Sequence, residues 1–194
     1  MRVIGLAGTL ASGKDTVGHL LAEKYGFLHV STSDMLRAEK KRVFGDSPEA
    51  LLRRNDPYAI NLRSTKGPGI LVELAYEEYR NHEHEFPGGL IASGIRSIGE
   101  AEKIKELGGV IIFVDADPKV RYKRAIARSR DKIDNEITYD DFLAMEQSES
   151  VGSRQDKSLP NLLAMKDMAD LVLTNDGNDI EAFKKAVAAA LDLS

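Results

Sequence analysis

The chain contains no cysteine and no tryptophan among its 194 residues, and aromatic residues make up only 6% of it. Without cysteine there is neither a disulfide framework nor a thiolate metal site. Also missing is an apolar run of the ~18 residues that a membrane helix requires, and the first residues already read as a core strand rather than a leader. The expectation is a cytoplasmic protein with no membrane partner. Nor is there an excess of positive charge: 27 Lys and Arg against 31 Asp and Glu leave a net charge of −4, which argues against a nucleic-acid partner. There is no internal repeat and no low-complexity tract. With 42% hydrophobic residues the chain can bury one sizeable core, so residues 1–194 are read as a single domain with insertions.

What is present is concentrated at the start. The apolar run Val3 to Ala7 leads into Gly8-x-x-x-x-Gly13-Lys14, after which Val17, Leu20 and Leu21 recur at helical spacing until Gly26. This strand, glycine loop and helix form the context in which such a loop binds phosphate. Backbone N–H groups of Gly8, Leu10, Ala11, Ser12 and Gly13 turn inward, the helix start adds partial positive charge, and Lys14 supplies a mobile ammonium for the β- and γ-phosphates. The residue after the lysine is ordinarily Ser or Thr, whose hydroxyl touches Mg²⁺; here it is Asp15, with the hydroxyl displaced to Thr16. Asp15 is therefore a candidate ligand for Mg²⁺, which accepts one or two carboxylates and several waters, or else a complement to the helix dipole. Thr16 is expected to hydrogen-bond a phosphate oxygen.

Four further strand signals follow, at Phe27 to Ser31, Leu90 to Ser93, Val110 to Val114 and Ala169 to Thr174, alternating with helical stretches. His29 reads as a packed strand histidine, and His82 and His84 as part of a solvated acidic tail. Residues 38–86 carry no strand signal; Ser47-Pro48-Glu49 and Asp56-Pro57 each announce a short helix, and a longer one follows Gly67-Pro68-Gly69. Ser97-x-x-Glu100, Thr138-x-x-Asp141 and Asn178-x-x-Glu181 look like helix starts. The alternation predicts an α/β protein whose parallel sheet binds ligands beyond the carboxyl ends of its strands. Gly8 to Thr16, Thr32 to Arg37, Ser93 to Arg96 and the residues from Asp115 onward would gather there.

These segments resemble the nucleoside monophosphate kinase group of P-loop proteins, with adenylate kinases, small deoxynucleotide kinases and dephospho-coenzyme A kinases. The likeness is carried by Gly-Lys-Asp-Thr at 13–16, Ser-Thr-Ser-Asp-Met-Leu-Arg at 31–37, Ser-Gly-Ile-Arg at 93–96, the arginines of 124–130 and Ala-Asp-Leu-Val-Leu-Thr-Asn at 169–175. It implies a three-layer P-loop kinase fold, a five-stranded parallel sheet of order 2-3-1-4-5. Residues 38–86 would be the helical acceptor-binding insertion, and 122–158 a short lid with its following connection. By position, Arg37 would hold an acceptor phosphate, Arg96 would bridge acceptor and donor, and Arg124, Arg128 and Arg130 would close over the γ-phosphoryl. Asn175 would lie near the adenine. The resemblance implies ATP and Mg²⁺ as cofactors, a small nucleotide as acceptor, and a monomer or homodimer. Arginine suits such work because its planar fork neutralises phosphate oxygens bidentately, and one arginine given to the transition state is worth about 10³–10⁵ in rate. Arg121, by contrast, reads as part of a solvated helix face.

Departures from the group matter as much. Adenylate kinases have an aspartate at the end of strand 3 where this chain has Ser93, so Mg²⁺ ordering would pass to Asp15 or Asp34. Asp34 follows strand 2, where dephospho-coenzyme A kinases place an aspartate proposed as base; the alternative is that it caps the helix. Tyr58, Asn61, Arg63 and Tyr76 are acceptor-site candidates within the insertion. Asp115 after a strand imitates the carboxylate of a motor ATPase, but no acidic pair follows it. The function expected is transfer of the γ-phosphoryl of ATP to a nucleoside or deoxynucleoside monophosphate. Dephospho-coenzyme A is the alternative acceptor, and a non-catalytic ATP sensor the alternative of another class.

Overall fold

In the computed structural model, which describes residues 2–47, 57–128, 137–150, 155–177 and 179–192, five parallel strands form one sheet of order β2-β3-β1-β4-β5. The strands are β1 (Val3–Gly8), β2 (Phe27–Ser31), β3 (Gly89–Ser93), β4 (Val110–Asp115) and β5 (Leu171–Thr174). Between them run α1 (Lys14–Tyr25), α2 (Thr32–Phe44), α3 (Pro57–Lys66), α4 (Ile70–His82), α5 (Ile98–Glu106), α6 (Pro118–Arg128), α7 (Tyr139–Ser150), α8 (Leu162–Asp167) and α9 (Ile180–Ala190).

The central strand β1 is buried along its whole length, and its side chains divide by period two between two cores. Val3 and Ala7 face a layer with Val72, Ala75, Ala101, Ile104 and Met165, drawn from α4, α5 and α8. Ile4 and Leu6 face Val17, Leu21, Phe183 and Val187 of α1 and α9. Burial on both faces explains why the inner strands β1, β3 and β4 read as near-continuous apolar runs rather than alternating ones. No helix among the described residues is long and apolar enough to cross a membrane.

Local rules account for most boundaries. The Ser97 hydroxyl accepts from Glu100 N while the Glu100 carboxylate accepts from Ser97 N, a complete capping box at the start of α5. Thr138 and Asp141 bond reciprocally ahead of α7. Two boundaries differ from the sequence reading. The cap of α9 is Asp179, which accepts from Glu181 N and Ala182 N, one residue later than Asn178, which lies outside the described residues, as does Ser47-Pro48-Glu49 from Pro48 on. Helix α8 has an Asn161 cap, whose side chain accepts from Ala164 N, but only six residues of periodicity, too few to announce it; tertiary burial of Leu162, Ala164 and Met165 makes it.

Candidate active site

The register Gly8↔Val114 between β1 and β4 sets the glycine loop at the carboxyl rim of the sheet. The loop is tied from all sides: Thr9 Oγ1 donates to Asp115 Oδ1 at 3.1 Å, Ser12 Oγ to Thr9 O at 2.9 Å, and Asn175 Nδ2 to Ser12 O at 2.8 Å. Ala11 takes a left-handed φ of 58° and Gly13 a φ of 107°. At Gly13 a Cβ would lie 2.4 Å from Asn175 Nδ2, so glycine is required there both for its conformation and for the close approach. Helix α1 then begins at Lys14 with no side-chain cap, which leaves its first N–H groups to the rim. Lys14 Nζ rests on the loop's own carbonyls, 3.1 Å from Gly8 O and 2.7 Å from Thr9 O. Leu10 and Asp15 are exposed and Thr16 half-buried. This is an anion cradle whose donors and ammonium fit a triphosphate, with a carboxylate at the helix start fit for Mg²⁺.

On the other side of β1, the strand ends meet α2. Thr32, buried, donates from Oγ1 to Ser93 O at 3.1 Å, and Gly94 N donates to Leu6 O at 2.9 Å. Ser31, and not Asp34, caps α2: its side chain accepts from Asp34 N. The Asp34 carboxylate is thereby released from capping and stands two-thirds exposed in an ion pair with Arg37, itself half exposed. Ser93 is buried and its hydroxyl lies 2.8 Å from His29 Nε2. Burial lowers the His29 pKa first of all, His19 lowers it further, and Asp15 opposes both. Thus β3 ends in a hydrogen-bonded serine–histidine pair rather than a carboxylate, and Asp15 and Asp34 are exposed carboxylates at the starts of α1 and α2.

The arginines separate into three kinds. Arg124 donates to Asn175 O at 2.8 Å and to Gly177 O, and so reaches the glycine loop through Asn175. Arg96 follows β3 and is half-buried; its backbone N donates to Glu100 Oε2 at 2.7 Å and its carbonyl accepts from Asn161 N at 2.8 Å. Arg63 and Arg121 depart from expectation. Arg63 is not an open acceptor-binding residue: its side chain is 9% exposed and bonds Glu100 Oε1 through Nε and Nη2 at 3.2 and 2.8 Å. The guanidinium charge is thereby matched by a fully buried carboxylate. Arg121 is not on a solvated face either; it is buried, donates to Ala116 O at 2.7 Å and grips Glu146 with both terminal nitrogens, fastening α6 to α7. The Arg128 side chain and Arg130 lie outside the described residues.

Asp115 is likewise committed. One oxygen accepts from Thr9 and from Ala116 N, the other pairs with Lys166 at 2.8 Å. Burial pulls its pKa up, but Lys166 and the hydrogen bonds hold it below the usual carboxylate range. It braces the loop from β4, on the opposite side of β1 from Ser93. Glu100, Asn161 and Glu146 were not foreseen in these roles. Glu100 had a local signal in its place in the capping box and Asn161 one as a cap residue ahead of Leu162; Glu146 had none.

The family described as an AAA domain, AAA_17, matches residues 7–140, from the glycine loop into α7. A UPF0200 protein of Saccharolobus solfataricus is 30% identical over 195 residues, covering 99% of this chain and 93% of the relative. Among solved structures, TT1252 from Thermus thermophilus is similar with a TM-score of 0.51 and 25% identity, covering 98% of this chain and 96% of that one. Shikimate kinase from Bacteroides thetaiotaomicron is similar with a TM-score of 0.57 and 18% identity over 99% of both chains. The sheet order and flanking helices are those of the P-loop kinase fold.

Proposed function

Because this chain belongs to the UPF0200 family and carries the AAA-domain P-loop, we propose that it is an ATP- and Mg²⁺-dependent kinase that moves a γ-phosphoryl to a small nucleotide, a nucleoside or deoxynucleoside monophosphate. One observation carries the reading: the cradle of Lys14 and the Asp34–Arg37 pair lie at the same sheet rim, joined through Thr32, Ser93, Gly94 and Leu6. A protein that only sensed ATP would need no second charged set beside the cradle.

Phosphoryl transfer asks the protein to align two polyanions and to neutralise charge, with little covalent work. The glycine-loop amides and Lys14 hold the donor phosphates; Arg124, expected over the γ-phosphoryl, is instead held against Asn175 and Gly177 and covers the nucleoside side. Residues 38–86 form the acceptor-binding insertion, 122–158 the lid and its connection, and Arg37 and Arg96 face the acceptor. Asp15, with Asp34, would hold Mg²⁺, which supplies neutralisation of the phosphate charge. A second reading, transfer to a hydroxyl such as that of dephospho-coenzyme A, draws on Asp34: freed from capping by Ser31 and exposed, its carboxylate can accept a proton as a general base. The test is ADP release from Mg·ATP across nucleoside monophosphates, deoxynucleotides and dephospho-coenzyme A. Stimulation by one subset, lost in Lys14→Ala and Arg96→Ala, is the expected result. Equal turnover with and without every acceptor would count against a kinase, and ATP binding without turnover would leave a sensor.

A further inference from the structure

We infer that Arg63, through Glu100, is a positioning residue that ties the inserted helices to the backbone of Arg96; its catalytic meaning rests on the kinase reading above. The two oxygens of Glu100 are divided between two tasks. Oε1 takes both bonds from Arg63 on α3, whereas Oε2 accepts from Arg96 N at 2.7 Å and from Ser97 N at 3.1 Å. A capping box needs only the Ser97 bond. The additional bond to Arg96 N, and a buried guanidinium on the far oxygen, go beyond what starting a helix requires. Buried ion pairs seldom add net stability over apolar replacements, so stability alone does not account for this one.

Two further contacts converge on the same turn. The Pro68-Gly69 step between α3 and α4 sits on the first turn of α5: a Cβ at Gly99 would come within 2.3 Å of Pro68 Cβ. From the other direction, residues 157–161 strap the turn, with Gly99 N donating to Lys157 O at 3.1 Å, Ser97 bridging Pro160, and Asn161 N donating to Arg96 O at 2.8 Å. The backbone of Arg96 is therefore held on its N–H side by Glu100, to which the insertion is tied through Arg63, and on its carbonyl side by Asn161 of the segment following α7. A shift of either element moves the Cα from which the Arg96 side chain starts, and a displacement of about 1 Å in a phosphate-aligning group costs on the order of 10² in rate.

The test compares the full-length wild type with Arg63→Met/Glu100→Gln and Arg63→Lys. The double variant removes both charges at similar volume and keeps a capping-box residue at 100. Amide hydrogen exchange at Arg96 and Ser97 is read together with kcat and KM for acceptor-dependent ADP release. Expected in the double variant are about tenfold faster exchange at those two amides with β1 unchanged, and kcat reduced about ten- to a hundredfold at unchanged KM for ATP; Arg63→Lys recovers part of both. A folded double variant with native exchange or native kcat overturns the proposal. Should the double variant fail to fold, Arg63→Lys is judged by the same two criteria, native values again overturning it. If the wild type releases no ADP in response to any acceptor, the kinase reading fails, and exchange at Arg96 and Ser97 alone decides whether Arg63 positions that peptide.

Discussion

The two sides of β1 hold their functional residues by different means. On the donor side the glycine loop is braced by short neutral and charge-assisted hydrogen bonds from the neighbouring strand ends: Thr9 to Asp115, Asn175 to Ser12, and Arg124 to the carbonyls of Asn175 and Gly177. On the side of Arg96 the N–H groups of the turn converge on one buried carboxylate with a single guanidinium behind it, while residues 157–161 strap its carbonyl side. Distributed bonds tolerate the loss of any one member, since a neutral one contributes about 0.5–1.5 kcal/mol net and one to a charged group about 1.5–3. A buried charge pair does not, because removing one partner strands the other in a medium that cannot solvate it.

That contrast can be broken most severely on the acceptor side. Arg63→Ala is expected to destabilise the fold by about 3–5 kcal/mol, measured by urea unfolding, with most of the loss recovered when Glu100→Gln is added. Next comes the donor cation: Lys14→Ala should lower acceptor-dependent turnover about 10²–10³-fold with thermal stability nearly unchanged, as read by steady-state kinetics and melting. Asn175→Ala should cost only about 0.5–1.5 kcal/mol of stability and weaken ATP binding modestly, as calorimetry would register. A loss as large as that of Arg63→Ala would erase the distinction between the two sides.

The smallest expected effect concerns His29. Its pKa is lowered in the fold, chiefly by burial and then by His19, so the unfolded chain binds the proton more readily than the folded one. Its contribution to stability is therefore fully present above the ordinary histidine value of about 6.5 and is lost as pH falls below it. Melting temperatures followed from pH 7.5 to 5.5 should decline, and the decline should be shallower in His29→Gln. An identical profile in the variant would remove His29 from the account.

The donor side was legible because its chemistry is contiguous. Gly8 to Thr16 must follow a strand and open a helix, and each requirement leaves a local mark: an apolar run, glycines, and a lysine at fixed spacing. The resemblance of 31–37 and 93–96 to kinase segments pointed to the rim for the same reason. Arg63 and Arg121 misled because an arginine at helical spacing looks alike whether it faces water, phosphate or a buried carboxylate. Their partners, Glu100 and Glu146, lie 37 and 25 residues away. Asp34 shows the same limit at short range: sequence offered both a cap and a base, and the choice fell to Ser31, whose hydroxyl reached the helix N–H first.

By itself, then, the sequence determined the alternation of buried strands and helices and the order of the phosphate cradle. These follow from residue periodicity and from backbone conformations that particular residues favour. Only the tertiary structure decided which charged groups remain open to solvent and which are spent on one another. Partner choice between side chains depends on through-space distance and on desolvation, and neither is written in the local order of residues.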